Sequence, residues 1–257
     1  MKNLRQSLEE AIAEYDRHLQ LHPEDYAAWN NRGVALEKLG RYQEAIASYD
    51  RALQINSDLP ETWSNRGIAL EKLGRYQEAI RCCDIALAIK PNMSQAWNNR
   101  GISLRKLGRY QAAVSSYDKA LLLKPNDREV WNNRGIALYE MGRYQEALIS
   151  YEKSLAIQPN NCEAWTNRGN ALAKLGRYEN AINSYREALE LDPASAITWY
   201  NKACCHALQG HTSLAIDSLK KAIELNPERY RPMARTDSDF NRIRKDRRFR
   251  ALISGRQ

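Results

Sequence analysis

The stretch WNNRGIALYEMGRYQEALISYEKSLAIQPN, residues 131–160, decides the fold because the chain repeats it. Its leading Trp131 has counterparts at Trp29, Trp63, Trp97, Trp165 and Trp199, spaced 34 residues apart with no insertion. A fixed period of this length signals a solenoid, in which each unit buries its apolar face against its neighbours. In the unit from Tyr26 to Leu59, Trp29, Gly33 and Leu36 recur at helical spacing and predict a first helix ending near Leu39. Gly40 stops it, since glycine accepts the left-handed conformation of a helix end without steric cost. A second amphipathic helix is expected from about Tyr42, with Ala45, Ile46, Tyr49, Ala52 and Leu53 on one face. Pro91, Pro125, Pro159, Pro193 and Pro227 close the later units, because proline cannot continue a helix.

Small residues set how closely the two helices approach. Gly33, Gly67, Gly101, Gly135 and Gly169 face the second helix, and Trp and Tyr fill the wider gaps. Cys83 stands where other units carry Tyr49, Tyr117, Tyr151 or Tyr185, so it reads as a small packing residue.

Trp, Gly four later, Ala sixteen later, Tyr twenty later, Ala twenty-three later and a closing Pro resemble the tetratricopeptide repeat (TPR) of bacterial type. The resemblance covers residues 26–229 as six repeats: 26–59, 60–93, 94–127, 128–161, 162–195 and 196–229. It implies an all-α, right-handed superhelical α-solenoid. Residues 4–23 align with a second helix alone, through Ala11, Ile12, Tyr15, Leu19 and Pro23, so residues 1–25 are expected to be an N-terminal half-repeat capping helix. The apolar surface this leaves is covered by Leu4 and Leu8 or forms a homodimer contact; otherwise the chain is a monomer. Residues 230–257 form a basic C-terminal cap, read as one short helix N-capped by Asp237 or Ser238 and docked by Phe240, Ile243, Phe249 and Leu252.

The family lines its concave groove with the first helix of each pair. That places Asn31, Asn65, Asn99, Asn133, Asn167 and Asn201 inward, with Asn98 and Asn132 beside them and Ile68, Ile102 and Ile136 one turn on. A carboxamide offers an acceptor and two donors, so such a ladder suits the main chain of an extended peptide. The expected function is a non-catalytic protein-interaction scaffold binding a protein or peptide segment. The cationic half of the clamp by which some TPRs grip acidic chaperone tails is missing, because those places hold Asn30, Val34, Asn65, Gln95 and Asn99. The family usually has Leu before the buried glycine. Here Arg32, Arg66, Arg100, Arg134 and Arg168 stand there, either paired with Asp50, Asp84, Asp118 or Glu152 or leaning into the groove.

The net charge of +8 is uneven: residues 229–257 hold ten Lys/Arg against three Asp/Glu, and the body is close to neutral. The alternative function is therefore contact with nucleic acid or an acidic protein through Arg242, Arg244, Lys245, Arg247, Arg248 and Arg250. The neutral body argues against nucleic acid. Catalysis is not expected, as His18, His22, His206 and His211 are scattered without a carboxylate pair or nucleophile elbow. Cys204, Cys205, His206 and His211 match no zinc spacing, so no metal or cofactor is expected. Without a signal-type apolar segment or a run of 18 apolar residues, a reduced cytoplasmic location and no membrane contact are expected.

Overall fold

The computed structural model describes residues 2–255, with side chains from residue 4. The described residues are helices and short connections, in two compact units, Met1–Asn126 and Asp127–Gln257. In the first, α1 (Lys2–Leu21) precedes three helix pairs: α2 (Tyr26–Lys38) with α3 (Tyr42–Ile55), α4 (Pro60–Lys72) with α5 (Tyr76–Ile89), and α6 (Ser94–Lys106) with α7 (Tyr110–Leu123). In the second, the pairs are α8 (Arg128–Glu140) with α9 (Tyr144–Ile157), α10 (Cys162–Lys174) with α11 (Tyr178–Leu191), and α12 (Ala196–Leu208) with α13 (Thr212–Leu225). Helix α14 (Pro227–Thr236), a 3-10 turn (Ser238–Phe240) and α15 (Arg247–Ser254) follow.

Helix boundaries follow from local chemistry. Asp25, Asp127 and Asn161 cap α2, α8 and α10 by accepting backbone N–H bonds, and Pro60 opens α4 at a position that needs no N–H. Gly40 has φ +77°, which lets its own N–H reach Glu37 O (2.8 Å) and Arg41 N–H reach Leu36 O (2.9 Å). This closes α2 and turns the chain into α3 within three residues. The second helices lack a side-chain N-cap there. Instead Arg41, Arg75 and Arg143 each form a two-pronged bond with the glutamate three residues on, Glu44, Glu78 and Glu146.

Within a pair, the second helix comes so close that a Cβ built on Gly33 would lie 2.5 Å from the Tyr49 ring. The same holds at Gly101, Gly135 and Gly169 against Tyr117, Tyr151 and Tyr185. At Gly67 the facing residue is Cys83, and the nearest contact relaxes to 3.3 Å. Tyr49 is fully buried and its hydroxyl donates to Glu37 Oε2 at 3.0 Å; burial pushes the pKa of both groups up.

The ends are covered unequally. At the N-terminal end Ile12 and Leu19 are buried and Leu8 packs against the core, whereas Leu4 stays exposed. At the other end Tyr230, Phe240, Ile243 and Phe249 are buried against α12 and α13. The single short helix expected there is two pieces. Asp237 caps the 3-10 turn, and Asp246 caps α15 by accepting from Arg248 and Phe249 N–H. The first helix of the cap, α14, begins at Pro227, inside the stretch assigned to the sixth repeat.

Candidate functional site

The arginine row is settled by its contacts. Arg32 Nε donates to Asp16 at 2.6 Å, Arg66 to Asp50 and Arg100 to Asp84 at 2.7 Å, and Arg168 Nη2 to Glu152 at 3.0 Å. Each acceptor lies on the helix before the arginine's own pair. A second nitrogen reaches forward to the second helix of the same pair, at Ser48, Cys82, Ser116, Ser150 and Ser184 for Arg32, Arg66, Arg100, Arg134 and Arg168. Each guanidinium also lies 5.7–6.0 Å from the centre of the tryptophan ring three residues back. The side chains of Arg32, Arg66, Arg100 and Arg168 are 18–26% exposed, and they bind helices together. The tryptophans have a polar duty that hydrophobic patterning missed. The indole N–H of Trp29, Trp63, Trp97, Trp165 and Trp199 donates at 2.9–3.0 Å to a loop carbonyl six residues earlier, anchoring the connection between pairs.

The two asparagine rows separate. Asn98 and Asn132 are buried, at 2% and 7% exposed. Asn30 shows the use of that position: its Oδ1 accepts from the Thr62 hydroxyl at 3.0 Å, joining α2 to α4. In the second unit Asn132 Nδ2 donates to Glu163 (3.4 Å) and Asn132 Oδ1 accepts from Asn167 (3.3 Å). Asn201 likewise donates to Asn170 at 2.8 Å, and the same Asn170 oxygen accepts from the Tyr185 hydroxyl. Asn133 is half-buried. The ladder of this unit is thus partly bonded to itself.

The first unit differs. Asn31 is exposed and, among the described residues, receives only a long 3.4 Å bond from its neighbour Asn30. Asn65 is half-buried, and among the described residues its carboxamide has no hydrogen-bond partner. Asn99 is 8% exposed, accepts from Gln95 at 3.1 Å, and leaves its amide N–H without an acceptor. One turn on, Val34, Ile68 and Ile102 are half-buried, as is Ile136 in the second unit.

The basic tail is in part committed to its own fold. Arg242 donates to Leu208 O at the end of α12, Arg244 to Arg235 O in the last turn of α14 and to Asp237 O just after it, and Arg248 to Ser213 and Asp246. Cations beside the last carbonyls of a helix satisfy unpaired acceptors and oppose the helix dipole. Lys245, Arg247 and Arg250 are exposed. Among possible metal ligands, the structure brings the Cys204 thiol to Asp237 and Asp239, and not to His211. Burial pushes Cys83 and Cys205 up to about 12 and Cys204 higher still, so these thiols stay protonated and pack.

The comparisons agree with this geometry. A tetratricopeptide repeat family model matches residues 26–59, 60–93, 162–195 and 196–229, and a second model of the same description matches 92–160. The chain belongs to the tetratricopeptide repeat family. A protein prenyltransferase alpha subunit repeat model also matches residues 8–39, the segment of α1 and α2. A search of the curated proteins finds no match. Among solved structures, the TPR chain resembles YrrB, a TPR protein with an unusual peptide-binding site. Identity is 22%, coverage is 70% of this chain and 93% of that one, and the TM-score is 0.61. It also resembles a tetratricopeptide repeat protein from Parabacteroides merdae, at 20% identity, 86% and 88% coverage and a TM-score of 0.66. A chain of the APC/C hetero-tetramer Cut9–Hcn1 matches at 18% identity, over 98% of this chain and 47% of that one, with a TM-score of 0.70. These likenesses establish the TPR solenoid fold. Membership of the family supports a protein–protein interaction scaffold. No described helix is long and apolar enough to cross a membrane.

Proposed function

We propose that this chain is a non-catalytic scaffold that holds an extended segment of a partner protein along its first helices, chiefly through Asn31, Asn65 and Asn99. The observation that carries this reading is the half-buried Asn65 carboxamide, which has no partner among the described residues while its neighbours on α2 and α6 also keep unused hydrogen-bonding capacity. Two donors and one acceptor per residue match a peptide N–H and C=O. Val34, Ile68 and Ile102 supply apolar surface for intervening side chains. The likeness to YrrB, which has a peptide-binding site, supports the same reading. In the second unit Asn133, Asn167 and Asn201 extend the row by sequence, but a peptide must there displace the bonds of Asn167 and Asn201.

The test selects peptides from a random displayed library on the full chain and titrates them by fluorescence anisotropy. One net hydrogen bond is worth about 0.5–1.5 kcal/mol, so Asn31→Ala with Asn65→Ala is expected to weaken binding by about 5- to 150-fold. Asn167→Ala with Asn201→Ala is expected to weaken it less. Undiminished binding by the first variant, with helical content retained, refutes the reading.

A further inference from the structure

The N-terminal end of the first unit holds an open cleft of about 370 Å3. One wall is α1, with Ala11, Glu14 and Tyr15, and the other is the start of α2, with Ala27, Ala28 and Asn31. One repeat further on, the equivalent space is filled. Ala45, Ser48 and Tyr49 of α3 are 0% exposed and Thr62 of α4 is 3% exposed, because α2 lies against α3 and beside α4. Ala11 and Tyr15 stand 34 residues before Ala45 and Tyr49, yet both are only half-buried, and among the described residues no first helix covers them. Leu4 continues the same face of α1 and is 68% exposed. The Tyr15 hydroxyl has no hydrogen-bond partner among the described residues, whereas those of Tyr49 and Tyr185 donate to Glu37 and Asn170 on their first helices.

Glu14 sets the chemistry of the occupant. The six second helices that follow carry Ser48, Cys82, Ser116, Ser150, Ser184 and Ser218 at its place. Five of these accept from the arginine that precedes the buried glycine of the first helix in their own pair. On α1 the place holds a carboxylate, exposed and without an ion pair or hydrogen bond among the described residues. An arginine brought there would bond an anion instead of a neutral hydroxyl, and such charge-assisted bonds are roughly twice as strong. The residue after that arginine must be small, since a Cβ at Gly33 would lie 2.5 Å from the Tyr49 ring. The first helices of a second copy are not free to supply this pair, because their glycines face their own second helices. We propose that the cleft takes a helix of a partner protein that carries an Arg-Gly pair. The helix completes a further repeat with α1, and Glu14 is the counter-ion of its arginine. The site lies beside Asn31 and does not rest on the asparagine row.

The probe is one of the chain's own first helices made as a free peptide, acetyl-REVWNNRGIALYE-amide, the sequence of residues 128–140. Labelled with fluorescein, it is titrated into the full chain by anisotropy; unlabelled, it is titrated into the isotope-labelled full chain by NMR. Saturable binding is expected, with shifts at residues 11–18 and 25–31. Glu14→Ser, which installs the residue of most other second helices, should weaken it about tenfold, the scale of a charge-assisted hydrogen bond. A peptide with Ala in place of its arginine should bind equally weakly to both chains, and one with Leu in place of its glycine should not bind. Asn65→Ala with Asn99→Ala should leave the affinity unchanged, because these residues do not line the cleft. The proposal is overturned if no saturable binding occurs, or if Glu14→Ser melts like the wild type yet binds equally. It is also overturned if the variant of Asn65 and Asn99 loses the peptide, as a ligand extended along the groove would require. A chain that sediments alone as a dimer and in that form excludes the peptide would make a second copy the occupant, and would overturn it too.

Discussion

Replacing Gly33 and Gly67 by alanine, one at a time, tests the packing that defines each repeat. Alanine gains about 0.8–1.0 kcal/mol over glycine within a helix, equally at both sites. The steric terms differ. At Gly33 the new Cβ would meet the fully buried Tyr49 ring at 2.5, 2.7 and 2.9 Å, so ring or backbone must move. Overpacking of this kind costs about 1–3 kcal/mol, leaving Gly33→Ala neutral to about 2 kcal/mol destabilised. At Gly67 the nearest atoms, Ala79 O, Cys83 Sγ and Cys82 Cβ, lie at 3.3–3.4 Å, so a shift of a few tenths of an ångström suffices. Gly67→Ala should then be neutral or more stable by up to about 1 kcal/mol. The two variants should differ by about 1–3 kcal/mol, or roughly 2–12 °C in melting temperature for a chain of this size. Urea titration followed by circular dichroism measures this, using the midpoint alone because repeat arrays need not unfold in one step. Equal shifts of the two midpoints, or greater harm at Gly67, would refute the reasoning.

Arg100→Ala removes bonds to Asp84 and Ser116 and the Trp97 stacking, and should lower stability by about 1–2 kcal/mol in urea titration, with Arg100→Lys restoring only part. Asp237→Ala uncaps the 3-10 turn and leaves the buried Tyr200 hydroxyl without its acceptor. It should cost about 1–3 kcal/mol and speed amide exchange in residues 227–254 before the earlier repeats. His206 is held below its ordinary pKa, first by burial and then by the Lys202 and His211 charges, with Glu179 opposing. Its neutral form is therefore favoured in the fold, so its contribution is complete above about pH 6.5 and is lost as pH falls through the lowered folded value. A His206→Gln chain should lose less stability than the wild type between pH 7 and 5; parallel curves would refute this.

Much of the fold was legible in the sequence because one period makes every repeat a check on the others. The helix ends at Gly40 and its counterparts, the Gly33–Tyr49 contact and the smaller Cys83 contact all depend on residues within one helix pair, where spacing and side-chain size suffice. The burial of Phe240 and Phe249 was also readable, from their apolar character. Tertiary structure alone decided what lies opposite each row. Periodicity shows that Asn98 and Asn99 recur, but adjacent helical positions point about 100° apart. At the same places in the first pair, Asn30 then meets Thr62 of the next first helix, whereas Asn31 is exposed. The arginines could have turned inward or backward, and the acid sixteen residues earlier and the serine hydroxyl sixteen later (the Cys82 thiol for Arg66) drew them between helices. Most of all, the meeting of Cys204 with Asp237 and Asp239 depends on how the cap docks. That position is set by the burial of Phe240, Ile243 and Phe249 against the last helix pair, a long-range packing choice that no local pattern encodes.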